Sequence, residues 1–388
     1  MARFVIAGGG IAGIAAALAL AERGHEAVVL EQAPAFEEVG AGIQIGPNGR
    51  RALESLRAWK ALEPSAVFPH SIRIRRARGG ATLGELPLGT AFANRFGSTY
   101  QVVHRADLLA ALLKTAAENP RISLHTGSRV SYFRTTDTAM TVLLEGGREF
   151  AGDALIGADG IRSRIRAQLL DDGPPVFAGH VLYRALVDIE AVPAGIDTAS
   201  VNLWLHEGGH VVHYPVAGGR KFNIVAAVNE NWYGEGWSEP SDGAILGMRF
   251  AGVADELHAV LSLPSEWLRW AGADREPVTH WGEGPVTLIG DAAHPTLPYL
   301  ASGAVMALED AVVLGGEVER MPEDPAAAMR AYEKARQPRT ARIVRSSHRL
   351  AGVYHAGPPL SFFRDAFIRM TSGPRSLERM AWLYDWRP

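Results

Sequence analysis

The chain contains no cysteine. Disulfides, thiolate nucleophiles, cysteine-ligated metal or iron–sulfur centres and cysteine-linked flavin are therefore excluded. It also lacks an excess of charge of either sign. Its 39 Lys and Arg stand against 42 Asp and Glu, for a net charge of −3 and a pI near 6.5. Such a balance gives no electrostatic case for nucleic acid or an anionic membrane. No internal repeat or low-complexity tract occurs. No His, Asp and Glu cluster has metal-ligand spacing, so no metal is expected. Residues 5–21 are apolar enough to suggest a membrane span or signal peptide. Three early glycines, a strand starting at residue 3 and no small-residue cleavage site argue against both. The cytoplasm is the expected location.

What is present is a 388-residue chain, 47% apolar, with material for substantial cores and a two-domain enzyme. Three separated motifs stand out, and together they point to a dinucleotide. The first is VIAGGGIAG, residues 5–13. Arg3 to Ala7 reads as a short apolar strand, and residues 11–23 as an Ala- and Leu-rich helix. Gly8 permits the tight turn out of the strand. Gly10 lets the backbone approach a pyrophosphate, and Gly13 lets the helix pack on the strand. Ile11 and Ala12 open the helix, whose N-terminal N–H groups and dipole favour phosphate. A second strand, Glu26 to Leu30, leads to Glu31, an acceptor for ribose hydroxyls. The second motif, ALIGADGIRSRIR at 154–166, is a buried strand leaving through Asp159 and Gly160. The third runs from 286 to 311 and contains GDAAHP with Gly290 and Asp291.

Between the motifs, Pro47 and Asn48 open an amphipathic helix behind a Gly-rich loop. Residues 70–103 alternate like strands, 104–118 read as a helix, and 122–147 as short strands. After about residue 175 four strand-like runs follow: HVLYRALVDIE, ASVNLWLH, HVVHYPVA and KFNIVAAV. Gly-Gly steps at 208–209 and 218–219 divide the last three into antiparallel hairpins. Helix is expected at roughly 242–262 and over most of 302–350, with a kink at Pro338. The basic run 334–349 reads as a solvated helix face. The expected fold class is α/β: a Rossmann-like dinucleotide-binding domain with an inserted, mainly antiparallel-sheet domain and C-terminal helices. The first domain takes residues 1–69, 100–175 and 276–350. The second takes 70–99 and 176–275, and 351–388 form a C-terminal helical segment.

With these three motifs in order, the chain resembles the single-component FAD-dependent aromatic hydroxylases, the para-hydroxybenzoate hydroxylase-like flavoprotein monooxygenases. Within them it is similar to the group of salicylate 1-hydroxylase, 3-hydroxybenzoate 6-hydroxylase and 6-hydroxynicotinate 3-monooxygenase. The resemblance runs nearly end to end. It includes VLEQAPAFEEVGAGIQIGPN, HRADL at 104–108 and MAWLYDW at 380–386. It implies non-covalent FAD, with Gly8, Gly10, Gly13 and Glu31 on the ADP half and Arg105 on the flavin side. Asp159 and Gly160 match a motif serving FAD and the pyridine nucleotide, completed by Ser163 and Arg166. Asp291 matches the acid that bonds the ribityl and pyrophosphate region. Pro298 to Ala304 pass beside the isoalloxazine, with the N–H groups of Gly303 and Ala304 near its pyrimidine edge. Gln44 is a further candidate for the flavin. Ser302 stands where relatives often have Gln, and Pro298 where the 3-hydroxybenzoate type carries Gln.

The implied reaction uses NAD(P)H, with NADH favoured over NADPH, and dioxygen. A flavin hydroperoxide delivers hydroxyl to a phenolic or hydroxypyridine carboxylic acid. On a strand, His210 and Tyr214 of HVVHYP share one face, and His213 points the other way. The resemblance places a His and a Tyr at this spacing in the substrate pocket, where His210 would take the phenolic proton and Tyr214 hold the oxygen. Tyr183, Arg184 and Arg220 are candidates for a substrate carboxylate. Trp204 and Trp232 read as core or pocket wall, and His294 as a structural residue of its turn. The small aromatic acid, NAD(P)H and dioxygen are the expected partners, without nucleic acid or membrane, for a monomer or homodimer. The alternatives are a flavin epoxidase or oxidase on a larger non-acidic substrate, and a non-catalytic FAD-fold binding protein.

Overall fold

Two large sheets position everything else. The computed structural model describes residues 1–36, 41–136, 140–373 and 375–388; residues 37–40 of the Gly-rich segment lie outside the described residues. The first sheet has five parallel strands in the order Val286–Leu288, Ala154–Gly157, Arg3–Ala7, Glu26–Leu30 and Ile122–His125. Its central strands are covered on both faces, which is why they read as unbroken apolar runs. The helix Ile11–Ala21 packs on this sheet and against the helix Gly303–Arg320. These contacts form the largest core of the molecule.

The second sheet has eight strands: Ser238–Ser241, Trp267–Asp274, Val176–Asp188, Lys221–Asn229, Gly209–Val216, Val201–His206, Ser71–Arg76 and Thr82–Pro87. Neighbours are antiparallel except Val201–His206 beside Ser71–Arg76. The hairpin turns fall on Gly208, Gly218 and Gly219, all with positive φ. One face of this sheet carries Val211, Trp204, Ile224, Ala226 and Val228. The short helices Ala244–Arg249 and Asp255–Leu261 cover it. The other face carries His210, Tyr214 and Asn223 and looks toward the strand Gly42–Ile45 of the glycine-turn half.

Several expectations change. The alternation over 70–103 is interrupted by a helix, Thr90–Phe96, whose Phe92 and Phe96 are buried in an aromatic cluster. The segment 242–262 is two helices, separated where Gly252 takes positive φ. The strand Trp267–Asp274 has no clean period-two burial, so its sequence gives no alternation to read. Helix over most of 302–350 is found as expected, in Gly303–Arg320 and Pro325–Tyr354, with Pro338 inside the second. The basic run on this helix is not simply a solvated face. Arg336 is buried and bonds Asp310 at 2.6 Å and Glu309 at 2.8 Å, and Arg339 bonds Glu309 at 2.7 Å. Among the described residues no helix is long and apolar enough to cross a membrane.

Candidate active site

The glycine turn is built by contact distances. A Cβ on Gly13 would lie 1.9 Å from the Gly8 carbonyl oxygen. One on Gly8, at φ +109°, would lie 2.3 Å from the Ala158 oxygen. Only glycine permits this approach of helix, turn and neighbouring strand. Gly10 caps the helix Ile11–Ala21 without a side-chain bond, so the N–H groups of its first turn, at Ile11 and Ala12, have no side-chain cap. Glu31 accepts from Gly9 N at 2.7 Å and from Ala33 N at 2.8 Å. It therefore pins the turn, and each oxygen keeps a lone pair for a ribose hydroxyl.

The other two motifs close on this turn. Asp159 does not present a free carboxylate. It accepts from Arg164 N at 2.7 Å, from Ile165 N at 3.3 Å and from the Ser163 hydroxyl, and so anchors the start of the helix Arg164–Leu170. Burial pushes its pKa up against those donors. Gly160 takes positive φ beside it. Buried Arg166 reaches from this helix to the carbonyls of Ala292 and Ala293, at 3.0 and 2.8 Å, tying the second motif to the third. A Cβ on Gly290 would sit 2.8 Å from that of Ala12, so the third motif also abuts the first. Asp291 is exposed, and its carboxylate has no side-chain partner among the described residues. Its Oδ1 is 4.0 Å from where a Cβ of Gly303 would stand. Behind it, buried Asp310 accepts from Gly290 N at 3.2 Å, His294 Nε2 at 2.5 Å and Arg336 Nε at 2.6 Å. Burial raises the Asp310 carboxyl, but His294 and Arg336 outweigh it and hold it below the usual range. His294 is thus part of the frame of its turn.

Pro298 opens a short turn, Pro298–Leu300, and Ala301 has positive φ. Ser302 spends its hydroxyl on the Leu300 carbonyl at 2.8 Å. Gly303 and Ala304 then begin the next helix with no side-chain cap on their N–H groups. The glycine cradle, the uncapped helix ends and the unpaired Asp291 fit the pyrophosphate and sugars of a dinucleotide.

The second sheet supplies the opposite wall. Tyr214 packs so closely on Gly42 that a Cβ there would be 2.5 Å from its ring, and Asn223 accepts from Gly42 N at 2.7 Å. Gln44 is beside Tyr214 and accepts from the Tyr100 hydroxyl at 2.6 Å. Burial pushes the Tyr214 phenol up, against Gln44 and Arg184. Arg105 starts the helix Arg105–Ala117, and its N–H donates to Ala41 O at 3.1 Å. His210 is 4% exposed and meets the rings of Tyr299, Tyr354 and His355. It shares a 2.9 Å hydrogen bond with His355. Burial, with His355 and His180 nearby, drives its pKa well below the usual value. His213 lies on the other sheet face, accepting from Trp204 Nε1 at 2.9 Å. Tyr183 also faces away and donates to Glu230 at 2.9 Å.

A cavity of about 860 Å³ opens between Ala41 and the strands carrying Arg184, Leu186, Trp267 and Trp270, with Asp242 and Glu266 among its wall. His210 and Tyr214 do not line it; Arg184, which does, lies on the same sheet face as both. Burial, with Arg105 nearby, lowers Arg184 to about 10, and its Nε has no partner. Tyr100, Asn223 and His355 were not legible as site residues. Each comes from a different element, and no local spacing links them.

Comparison with known proteins places the chain in a family. The FAD binding domain family matches residues 1–347. The chain is 39% identical over 386 residues to the 3-hydroxybenzoate 6-hydroxylase of Polaromonas naphthalenivorans strain CJ2, covering 98% of this chain and 95% of that protein. It is 39% identical over 389 residues to the 3-hydroxybenzoate 6-hydroxylase of Klebsiella oxytoca, covering 99% and 97%. The crystal structure of Klebsiella pneumoniae HpxO complexed with FAD and uric acid matches with a TM-score of 0.88 at 28% identity, covering 98% of this chain and 97% of that one. The chain belongs to the FAD binding domain family and is an FAD-dependent aromatic-ring monooxygenase.

Proposed function

We propose that this monooxygenase hydroxylates a phenolic or hydroxypyridine carboxylic acid, with His210 taking the phenolic proton and Tyr214 holding the substrate oxygen. The observation that carries the reading is the shared sheet face of His210 and Tyr214, turned toward Gly42, Gln44 and Tyr299. His210 Nε2 has no protein partner among the described residues, so a substrate hydroxyl meets no competitor there. Arg184, a largely buried cation with an unpartnered Nε, supports an anionic substrate. The hydroxybenzoate relatives support the same class.

For the cofactor, we assign Gly8, Gly10, Ile11, Ala12, Gly13 and Glu31 to the ADP half, and Asp291 with Gly290 to the ribityl and pyrophosphate region. Arg105, Gln44, Pro298, Gly303 and Ala304 are assigned to the flavin side, with Asp159 and Gly160 shaping the turn beside it. Bound FAD supplies electron transfer from a pyridine nucleotide and activation of dioxygen. The protein orients the ring, removes its proton and keeps water out. NADH is the proposed reductant. The test is NADH and NADPH oxidation with hydroxybenzoates and hydroxynicotinates, reading product mass and hydrogen peroxide together. A ring-hydroxylated product with one atom from dioxygen is expected. A panel in which every acid yields peroxide alone would defeat the substrate class.

A further inference from the structure

We infer that His355 and Asn229 are positioning residues that hold His210 in the tautomer with its proton on Nδ1, leaving Nε2 as the basic nitrogen. The inference rests on the proposed role of His210 and adds the groups that make it a base. The geometry is a chain of two hydrogen bonds. Asn229 Oδ1 lies 2.6 Å from His355 Nδ1, and an amide oxygen only accepts. His355 Nδ1 therefore carries a proton. A neutral His355 then has a bare Nε2, and that atom is 2.9 Å from His210 Nδ1. His210 Nδ1 must donate into it, so the lone pair of His210 is on Nε2. The second nitrogen of a histidine is decided in this way by the bond the first one makes.

His355 is 8% exposed, and burial and His180 lower it to about 3, which keeps it neutral at working pH. The groups facing His210 are His180 from the strand Val176–Asp188, Tyr299 from the turn Pro298–Leu300, Tyr354 at the end of the helix Pro325–Tyr354 and His355 just after it. None is a carboxylate, so an imidazolium at His210 has no counter-ion among them. In the proton step the substrate O–H bond breaks and an N–H bond forms at His210 Nε2, giving phenolate and imidazolium with no change in oxidation state.

Asn229 is exposed at the end of its strand, so replacing it spares the core. The experiment uses FAD-loaded full-length enzyme labelled with ¹⁵N-histidine, with His210 assigned by its loss in His210→Asn. Wild-type His210 is expected to carry its proton on Nδ1. In Asn229→Leu, His355 loses its acceptor, and the His210 proton shifts toward Nε2. With the panel acid that is hydroxylated fastest, Asn229→Leu should lower kcat about 10–100-fold with little change in KM. That is the usual cost of losing a partner that orients a working histidine. Asn229→Asp, which accepts at the same place and cannot donate, should recover most of the rate. A wild-type proton on His210 Nε2, or an Asn229→Leu variant with unchanged tautomer and kcat, overturns the inference. His210→Asn hydroxylating at the wild-type rate would instead overturn the base assignment on which it rests.

Discussion

His210 and His213 are three residues apart and occupy opposite environments. His210 faces Tyr299 and His355, while His213 is sealed behind the sheet against Trp204 and Phe222. Substitutions on the two faces should therefore separate chemistry from stability. Tyr214→Phe keeps ring volume and is expected to slow hydroxylation about 10²–10⁴-fold, as for a lost acid–base group. FAD should stay bound and a larger share of NAD(P)H should end as hydrogen peroxide. His213→Ala should leave that coupling near wild type but cost about 1–3 kcal/mol of stability, because the Trp204 N–H loses its acceptor. Product and peroxide yields, with a thermal melt, test both. Essential His213 alongside dispensable Tyr214 would reverse the faces. Asp291 is the matching case on the cofactor side. Asp291→Ala should weaken FAD retention by about 1.5–3 kcal/mol, the worth of a hydrogen bond to a charged group. Flavin fluorescence during dilution measures it, and unchanged retention would remove Asp291 from the site.

At the scale of elements, the helices Gly303–Arg320 and Pro325–Tyr354 are joined by a buried charge cluster of Glu309, Asp310, Arg336 and Arg339. Asn48 donates to Glu309 at 2.7 Å, so the helix after the Gly-rich loop is tied to the same cluster. Asp310 also holds Gly290 and His294, which sets the height of the third motif against the glycine turn. Removing one partner leaves charge buried and uncompensated. Arg336→Leu is expected to cost about 3–5 kcal/mol and to loosen FAD as the Gly290 turn relaxes. Urea unfolding with and without added FAD checks this; a variant as stable as wild type would mean the cluster contributes little.

For the whole molecule, the eight-stranded sheet meets the separate strand Gly42–Ile45 through Asn223 and Tyr214 against Gly42 and Gln44, so both halves must be folded before the site exists. The buried histidines make this assembly sensitive to acid. Burial lowers His213 and His355 to about 3, against 6.5 in an unfolded chain. Between those values the unfolded state binds protons that the folded state refuses, so stability falls as pH drops below about 6.5. Asp310 adds a second loss at lower pH, because its folded pKa is below the unfolded 3.8 and protonation costs it His294 and Arg336. Unfolding midpoints measured from pH 8 to pH 4 should decline on the acid side. His213→Asn should flatten part of that slope, and an identical slope in this variant would place the proton uptake elsewhere.

The sequence by itself determined what repeats over a few residues. The strand Arg3–Ala7, the glycine turn and its helix are local patterns, as are the Gly-divided hairpins and the opposite faces of His210 and His213. A two-residue period and a positive-φ glycine act on immediate neighbours, so they can be read without knowing the rest of the chain. Tertiary structure alone decided what those patterns meet. His355 reaches His210 across 145 residues, and Gln44 turns to Tyr100 and Tyr214. Asp159 is spent on its own helix, and Arg336 is drawn from an apparently solvated basic run into a buried cluster. Burial and hydrogen-bond partners depend on which surfaces pack together, and that is a property of the assembled sheets and helices. Local spacing carries no information about a partner supplied by another element.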